Sequence, residues 1–416
     1  MVSPEIHRDR IWIDGCFDFA HHGHAGAMLQ ARQLGSSLYV GVHSDEEILE
    51  NKGPVVMTLP ERILAVEACK WATRAIPSAP YVTSPEVMDQ YGCFYVVHGD
   101  DITTDANGED CYRVVKDAGR FLVVKRTPNI STTDLVGRML LCTKNHHIKT
   151  VRSEDVETAL ANAKIGKQAE GLITVEAIEK FRAYATAEDG KHPRDGVYIW
   201  TSSSPGNDAG ILTTLVDPSE KFMQSHKRMI YVDGGFDLFF AGHIEFLRLV
   251  SQFAATVSAA AAAAAADDAD AEVGIVVGIH SDATVNKFKR LNYPIMSLFE
   301  RALCVLQCKF VSHVVLQAPY CPTQVFLDAL PWDIVAVMHG PTRFDPEGEG
   351  GNPYADVKRT GLYKEIGEHL YKDISTETIV ERVTRNRGVY EERQRRKGWK
   401  SEVESQLKKQ EDTNSL

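Results

Sequence analysis

The feature that most constrains the fold of this chain is an internal repeat. A pattern of a short strand, a glycine-containing turn and a helix start occurs at residues 13–24 and again at residues 232–243. Further matches join His43-Ser44-Asp45 to His280-Ser281-Asp282, Glu61-Arg62 to Glu300-Arg301, Ala79-Pro80-Tyr81 to Ala318-Pro319-Tyr320, His98-Gly99 to His339-Gly340, and Ile130-Ser131-Thr132 to Ile374-Ser375-Thr376. The offset between matching positions grows from 219 to 244 along the copies. A repeat of this length predicts two related domains.

Each copy alternates strand and helix patterns. Short β-branched runs predict strands at 38–42 and 95–98 in the first copy and at 273–279 and 334–339 in the second, with a helix over 60–73. Apolar strands that alternate with helices predict an α/β fold, in which a parallel sheet is covered on both faces. Ligands of such sheets bind at the carboxyl ends of the strands, near a change of strand order.

The repeat also suggests where the domains end. In the offset between the copies, the largest step falls at eight consecutive alanines, Ala259–Ala266. Their composition predicts a helix extension or a disordered loop, with a functional tether as the alternative. Helical patterns cover 151–182, and 202–207 has a loop composition. We therefore predict a first domain at 1–150, a helical and then flexible linker at 151–225, a second domain at 226–390, and a polar tail at 391–416 that forms a solvated, frayed helix.

Composition narrows the classes of partner. The net charge of -11 gives no support to wrapping of nucleic acid, although local loops can still capture a free nucleotide. The N-terminus has no apolar core of a secretory signal, and no stretch reaches the roughly 18 apolar residues of a membrane helix. The eight cysteines include no Cys-x-x-Cys pair, and Cys304 and Cys308 favour core packing. We expect a reduced, cytoplasmic protein without a cysteine-rich metal site or stable membrane insertion.

The first copy of the pattern carries two histidines at a helix start. A strand ends near Asp14, Gly15 is expected to allow the tight turn, and His21 and His24 flank Gly23. Imidazoles beside the free amides of a helix N-terminus suit a polyphosphate, because they can donate hydrogen bonds to the charge that grows on a leaving phosphate. The alternative is a purely structural pair of histidines.

A second element follows the predicted strand at 121–125. The segment Arg126–Thr133 precedes a helix predicted over 134–141 and places hydroxyl side chains, free amides and the positive end of the helix dipole together. Arg126 adds a forked cation for bidentate phosphate contact. An ordinary helix cap is the alternative, and it accounts for one hydroxyl residue but not for Arg126-Thr127 before it.

These two elements together resemble the signatures of the cytidylyltransferase family of the nucleotidyltransferase superfamily. Here they read His21-His22-Gly23-His24 and, about 100 residues later, Arg126 to Thr133. Asn129 stands where the family usually has glycine, and asparagine tolerates a left-handed backbone well. The resemblance implies two tandem Rossmann-like nucleotidyltransferase domains. It extends over nearly all of the chain to the two-domain members that act on phosphoethanolamine, through segments such as Asn51-Lys52-Gly53-Pro54, Cys69-Lys70-Trp71 and His98-Gly99-Asp100-Asp101.

The implied reaction is that of CTP with phosphoethanolamine, which gives CDP-ethanolamine and pyrophosphate. By resemblance, His21 and His24 hold the triphosphate, Lys52 bridges the reacting phosphates, and Arg126 clamps the outer phosphates. Mg²⁺ arrives with CTP, no metal site of the protein is needed, and no covalent intermediate is required. The expected nucleotide-binding residues are Gly15, Cys16, Phe17, Gly23, His98, Asp100, Thr127, Ser131, Thr132 and Thr133. A homodimer is left open.

Recognition of the acceptor depends on fewer residues. In choline-phosphate enzymes of the family a quaternary ammonium lies among aromatic rings, and Tyr81 matches one ring while Thr103 replaces another. One ring fewer and one hydroxyl more suit a primary ammonium. Asp18 is expected to be its carboxylate partner, alongside Lys52 on the phosphate, with a turn-capping role for Asp18 equally open. Choline phosphate, glycerol 3-phosphate, ATP in place of CTP, and a nucleotide sensor without turnover are the alternatives.

The second copy lacks most of the candidate chemistry. Phe240 replaces His21, although His243 matches His24. The remaining catalytic positions align with Leu291 or Asn292 for Lys52, Pro341 for Asp100, Leu370 for Arg126, Tyr371 for Thr127 and Glu377 for Thr133. We therefore predict a degenerate second domain that does not turn over substrate. A structural and regulatory role is our hypothesis, with independent ligand binding as the alternative.

Overall fold

A computed structural model describes residues 4–128, 130–168, 170–202, 210–264, 272–341 and 351–392. The chain forms two compact units that do not follow the order of the sequence. Unit 1 contains residues 1–141, 188–190 and 376–416, and unit 2 contains residues 142–187 and 191–375. The division differs from the predicted boundaries, because segments of each repeat belong to the unit built mainly from the other.

Unit 1 is built on a five-stranded parallel sheet in the order β3-β2-β1-β4-β5. Its strands are β1 His7–Gly15, β2 Ser37–His43, β3 Arg74–Ala79, β4 Cys93–Gly99 and β5 Phe121–Val124. Trp12, Ile76 and Val96 are buried in the cluster on one face of the sheet. The strand order changes between β1 and β4, so a crevice for a ligand is expected at their carboxyl ends. The predicted α/β fold and parallel sheet are confirmed.

The helices of unit 1 cover this sheet. Those from the first repeat are α1 His22–Gln33, α2 Asp45–Asn51, α3 Leu59–Ala68, α4 Pro85–Gln90, α5 Arg113–Asp117 and α6 Thr132–Leu141. A capping box of Thr58 and Glu61 starts α3. The helix predicted over 60–73 ends at Ala68, because Cys69 has an extended backbone (ψ 123°) and Trp71 turns into the core.

Unit 2 has a seven-stranded sheet in the order β12-β11-β8-β9-β10-β6-β7. Its strands are β6 Gly196–Ser202, β7 Gly210–Val216, β8 Arg228–Gly234, β9 Val273–Ile279, β10 His313–Leu316, β11 Asp333–His339 and β12 Tyr363–Glu365. β6 pairs parallel to β10 and antiparallel to β7. The prediction of a linker that ends flexible is therefore wrong for 196–202 and 210–216, which extend the sheet; residues 203–207 lie outside the described part.

The helices of unit 2 are α7 Ser153–Lys164, α8 Val175–Tyr184, α9 Glu220–Ser225, α10 Ala241–Ala264, α11 Asp282–Lys289, α12 Leu298–Leu306, α13 Gln324–Asp328 and α14 Ala355–Arg359. The single helical pattern over 151–182 is two helices, α7 and α8. Cys304 and Cys308 are both buried, as expected for core packing.

The alanine tract lengthens a helix that starts in the second copy of the repeated pattern. α10 runs through Ala264, so the helix extension is confirmed that far, and Ala265 and Ala266 lie outside the described residues. Among the described residues, α10 alone is long and apolar enough to cross a membrane by length and composition. The expectation that no stretch reaches this limit is thus wrong for α10, although one such helix is weak evidence of a membrane span.

The last helix, α15 Thr376–Arg385, belongs to unit 1, where it packs against α6. Its sequence matches α6 at the offset of 244, and yet it leaves the unit that contains the rest of its repeat. Of the predicted second domain at 226–390, the part up to Ser375 belongs to unit 2 and the part from Thr376 belongs to unit 1. Of the predicted tail, Glu391 and Glu392 continue a helical stretch, and the rest lies outside the described residues.

Candidate active site

The turn after β1 has a left-handed backbone at three residues that are not glycine. Phe17 (φ 52°), Phe19 (φ 64°) and Ala20 (φ 38°) all lie in this region, which side chains disfavour. Gly15, by contrast, is the last residue of β1, and a Cβ placed on it would make only ordinary contacts with the ring of Phe17. The tight turn is therefore made by Phe17 to Ala20, and the prediction that Gly15 makes the turn is wrong, whereas its predicted contact with the nucleotide stays a prediction.

The turn delivers two stacked imidazoles to the start of α1. His21 is the N-cap residue of α1, and its Nδ1 accepts a hydrogen bond from the amide of Gly23 at 3.1 Å. Because Nδ1 is the acceptor, Nε2 carries the proton of the neutral ring. The ring of His24 stacks on that of His21 with centroids 3.9 Å apart. Burial lowers the pKa of both histidines well below 6.5, so each is a neutral hydrogen-bond donor at pH 7.

The sources of those pKa shifts place the four predicted catalytic residues in one electrostatic neighbourhood. After burial and the electrostatic effect of the neighbouring His21 ring, the positive charges of Lys52 and Arg126 lower the pKa of His24 further. Arg126 forms an ion pair with Asp101 (2.7 Å), and its guanidinium is half exposed. The Nζ atom of Lys52 lies 3.9 Å from Sγ of Cys16. Positive groups so grouped at strand ends favour binding of an anion.

The two signature segments are in direct contact. A Cβ on Gly23 would approach Cγ2 of Ile130 to 2.8 Å, so glycine is required where the Ile130 side chain packs against the start of α1. The hydroxyl of Thr132 donates to the carbonyl of Asp18 at 3.3 Å, which links α6 to the same turn. This packing brings the N-terminus of α6 beside that of α1, as an anion site needs.

The hydroxyl residues of the second segment have different surroundings. The Ser131 hydroxyl accepts from the amide of Asp134 (3.1 Å) and donates to its carboxylate (2.6 Å), which is a normal helix cap. Thr133 is half-buried in the first turn of α6, and Thr127 is half-buried after β5. Asn129 lies outside the described residues.

The end of β4 contributes His98 and Asp100. His98 places Nδ1 3.2 Å from the carbonyl of Gly99 and Nε2 3.3 Å from the hydroxyl of Thr103, and burial lowers its pKa. Asp100 accepts from the backbone amide of Arg126 at 3.2 Å. Asp100 therefore borders the segment that carries Arg126, and His98 lies two residues before it at the end of β4.

Asp18 has a structural role that the sequence left open. Its two carboxylate oxygens accept from the backbone amides of Val56 (3.0 Å) and Met57 (2.8 Å), and the side chain is buried. In unit 2, Asp237 accepts from Ile295 (2.7 Å) and Met296 (2.9 Å) in the same way. Because the degenerate copy keeps this arrangement, it serves the fold, and the prediction that Asp18 binds the ammonium group is not supported. Tyr81 is buried, with its ring 5.0 Å from that of His43.

One important residue was recognised only as part of the repeat. The buried guanidinium of Arg62 donates to the carbonyls of Met57 (3.1 Å), Cys16 (2.7 Å) and His43 (2.8 Å) and pairs with Asp45. Arg301 makes the equivalent set of bonds in unit 2. The signal was the recurrence of Glu-Arg after His-Ser-Asp in both copies, at spacings that differ by two residues.

The corresponding site in unit 2 keeps the shape of the first and loses its charge. The ring of Phe240 lies 4.0 Å from that of His243, in place of the stacked histidine pair. Burial, and then the charge of Lys289, lowers the pKa of His243 to about 3. Leu370, which matches Arg126, is 84% exposed. The site therefore offers one imidazole and no arginine at the matching position.

Comparison with known proteins agrees with this geometry. The sequence profile of the cytidylyltransferase-like family matches residues 12–138, which include both signatures. The chain is 39% identical to ethanolamine-phosphate cytidylyltransferase of Mus musculus over 93% of this chain and 89% of the relative, and 39% identical to that of Dictyostelium discoideum over 93% and 94%. Choline-phosphate cytidylyltransferase A of Mus musculus is 38% identical over only 32% of this chain and 36% of its own length.

Proposed function

Because the chain belongs to the ethanolamine-phosphate cytidylyltransferase family, we propose that unit 1 transfers the cytidylyl group of CTP to phosphoethanolamine. The products are CDP-ethanolamine and pyrophosphate. The observation that carries the proposal is the grouping of neutral His21 and His24 with the charges of Lys52 and Arg126 at the strand ends where the sheet order changes.

The reaction is an in-line displacement between two anions. A phosphate oxygen of phosphoethanolamine forms a bond to the α-phosphorus of CTP as the bond to the bridging oxygen of pyrophosphate breaks. His21 donates from Nε2, since its Nδ1 is already engaged by Gly23, and His24 donates beside it to the departing phosphates. Neither histidine needs to change its protonation state for this task.

The two cations neutralise charge on both sides of the displacement. Lys52 supplies a point charge between the reacting phosphates, and Arg126 exchanges Asp101 for the outer phosphates of CTP. The free amides at the start of α6, with Thr132 and Thr133, add donors in the direction of the same phosphates. Positioning and charge neutralisation account for catalysis, with no covalent intermediate.

Mg²⁺ is proposed to enter with CTP. The described residues contain no group of three or more His, Cys, Asp or Glu side chains placed to hold a metal ion, whereas the donors around His21 suit phosphate oxygens. When bound to the nucleotide, Mg²⁺ supplies charge neutralisation of the phosphates and keeps most of its waters.

Phosphoethanolamine is favoured over choline phosphate as the acceptor by two features. Relatives named for ethanolamine phosphate match nearly the whole tandem chain, whereas the choline-phosphate relative matches about a third. In addition, Thr103 places a hydroxyl beside His98 where an aromatic ring would favour a quaternary ammonium. A regulator without turnover is less well supported, since the four candidate catalytic residues are all present. Glycerol 3-phosphate and use of ATP are less well supported because the relatives that match nearly the whole chain are named ethanolamine-phosphate cytidylyltransferase.

We also propose a cellular compartment and a class of partner for the protein. All eight cysteines are free thiols, which supports a reducing cytoplasm. The net charge of -11 gives no support to nucleic acid as a partner, and a small phosphorylated substrate would be bound by local positive groups against that charge.

Release of pyrophosphate tests the proposal directly. The full-length protein is incubated with CTP or ATP and with phosphoethanolamine, choline phosphate or glycerol 3-phosphate, and pyrophosphate is measured over time. Release is expected with CTP and phosphoethanolamine well above every other pair. Lys52→Ala is the control for contaminating activity. Absence of release with the expected pair, in a folded protein that retains both sheets by circular dichroism, would contradict the proposal.

A further inference from the structure

The loop that carries Lys52 is held by a segment from the far end of the chain. We define the Lys52 loop as residues 52–58, between α2 and α3. In unit 1 the guanidinium of Arg382 donates to both carboxylate oxygens of Glu61, each at 2.9 Å, and to the carbonyl of Val56 at 3.3 Å. The hydroxyl of Tyr390 donates to the carbonyl of Val55 at 3.0 Å. Two consecutive carbonyls of the loop are therefore bound by the C-terminal segment.

The other side of the same loop is bound by the active-site turn. Asp18 accepts from the amides of Val56 and Met57, so the loop is fixed through its amides by the turn that positions His21 and through its carbonyls by Arg382 and Tyr390. Glu61 completes the arrangement, because its Oε2 also accepts from the amide of Thr58 at 2.8 Å.

The ion pair between Arg382 and Glu61 involves a buried carboxylate next to the Lys52 loop. Glu61 is only 4% exposed, and Arg382 is about one-third exposed. A carboxylate buried to this extent needs a partner, and removal of Arg382 would leave it with the backbone bond at Thr58. The loop end would then relax toward solvent, and Lys52 would lose its fixed distance from the histidines.

Unit 2 contains a contact that matches the one made by Tyr390, so this part of the arrangement recurs in both copies of the repeat. His146 places Nε2 2.8 Å from the carbonyl of Pro294. At the offset of 244, Tyr390 matches His146, and at the offset of 239, Val55 matches Pro294. The segment after the last helix of each repeat thus binds the same loop position in the unit built mainly from the other repeat. Only unit 1 has a lysine in that loop, since Leu291 or Asn292 stands at the position in unit 2.

We propose that Arg382 and Tyr390 are positioning residues for Lys52, and that the second repeat serves catalysis by supplying them to the first unit. The inference rests on the proposed transfer reaction for its catalytic consequence, but the clamp itself is defined by structure alone. It gives the degenerate repeat a physical task that requires no ligand of its own.

The first arm of the test compares three full-length variants. Arg382→Ala is expected to lower kcat about 10-fold or more, because a reacting group misplaced by about 1 Å loses much of its effect. Tyr390→Phe removes one hydroxyl and no packing, and should lower kcat about 2- to 5-fold. Arg385→Ala is the matched control on the same helix, since Arg385 is exposed and pairs only within α15 with Glu381 among the contacts described. It should leave kcat within about 2-fold.

The second arm separates positioning from general destabilisation. Each variant is made again with Lys52→Ala. If the clamp acts through Lys52, then Arg382→Ala and Tyr390→Phe cause little further loss in that background. An equal loss in both backgrounds, or unchanged kcat in both single variants, would overturn the proposal.

Hydrogen exchange of the Lys52 loop gives a readout that does not depend on turnover. The amides of Val56 and Met57 are expected to exchange at least about 10-fold faster in Arg382→Ala and measurably faster in Tyr390→Phe, with Arg385→Ala like the parent protein. A parent protein without transferase activity that still shows this pattern would refute the proposed function and keep the clamp. Unchanged exchange in both variants would refute the clamp itself.

Discussion

The two repeats keep the same backbone devices and differ in their charges. Both have three left-handed residues after the first strand, a buried aspartate that binds two loop amides, and a buried arginine that binds carbonyls from three segments. In unit 1, Lys52 and Arg126 both act on the pKa of His24, whereas in unit 2 the matching histidine is influenced by Lys289. The comparison separates the residues that fix the backbone of the turn, which both repeats keep, from the charged residues that act on the histidine, which differ.

The buried aspartates at the end of the first strand of each repeat also differ between the copies, in the hydrogen bonds that they accept. Asp14 accepts from Trp12 (2.7 Å), Thr83 (2.5 Å) and Tyr112 (2.7 Å). Its counterpart Asp233 accepts from Tyr354 at 2.6 Å, but Pro322, which matches Thr83, has no hydroxyl. The second repeat has thus kept the fold and lost part of the network that stabilises its buried charge.

The largest difference is expected when the equivalent histidines are removed. His24→Ala, like Lys52→Ala, should lower kcat at least about 100-fold, the scale lost with one donor to a developing anion. His243→Ala should leave kcat within about 2-fold, because we expect no transfer to take place in unit 2. Pyrophosphate release measures both, and circular dichroism checks that each variant is folded. Equal losses would mean that the second site takes part in turnover and that the two repeats do not differ in catalysis.

A smaller and pH-dependent difference is expected for the aspartates. Burial raises the pKa of Asp233 from 3.8 to about 7. The unfolded chain therefore releases this proton near pH 4 and the folded unit only near pH 7, so the stability of unit 2 falls between these values and is constant above them. Asp233→Asn removes the proton exchange and should gain up to about 4 kcal/mol relative to the parent protein between pH 4 and pH 8.

The matched change in unit 1 should have the opposite sign. An amide has one acceptor oxygen, so Asp14→Asn cannot satisfy the three donors and is expected to destabilise unit 1 by about 1–3 kcal/mol. Thermal unfolding followed at pH 5 and pH 8, with the two units treated as separate transitions, measures both variants. A gain of stability for Asp14→Asn, or no pH dependence in the Asp233→Asn difference, would show that the two networks are not distinguished as described.

Sequence patterns predicted the sheet and named the candidate catalytic residues because both can be read from short segments of the sequence. The strand at 273–279 and the convergence of His21, His24, Lys52 and Arg126 needed only apolar periodicity, the repeat and known signatures. The sequence could not show that β6 and β7 join the second sheet, since an edge hairpin and a linker have similar composition. It also could not show the exchange of α15, because helix 376–385 has the same pattern whichever unit it packs on.

The smallest effect is expected from restoring the missing histidine. Phe240→His would rebuild the histidine pair of unit 2, since the ring of Phe240 already lies 4.0 Å from that of His243. The new imidazole would be one donor among several that are needed, because Leu370 and Leu291 or Asn292 still stand where Arg126 and Lys52 act. In a His21→Ala background we expect no recovery of pyrophosphate release, and one CTP bound per chain at most in calorimetry.

The opposite result would identify a second source of positive charge in unit 2. Each lost donor costs several kcal/mol of transition-state stabilisation, so a single restored donor leaves turnover too slow to measure when two cations remain absent. Recovery above the His21→Ala level, or a second CTP per chain, would mean that unit 2 still gathers phosphate without an arginine at position 370. The source of charge would then have to be Lys289, which already lowers the pKa of His243, and Lys289→Ala in the Phe240→His background would abolish the gain.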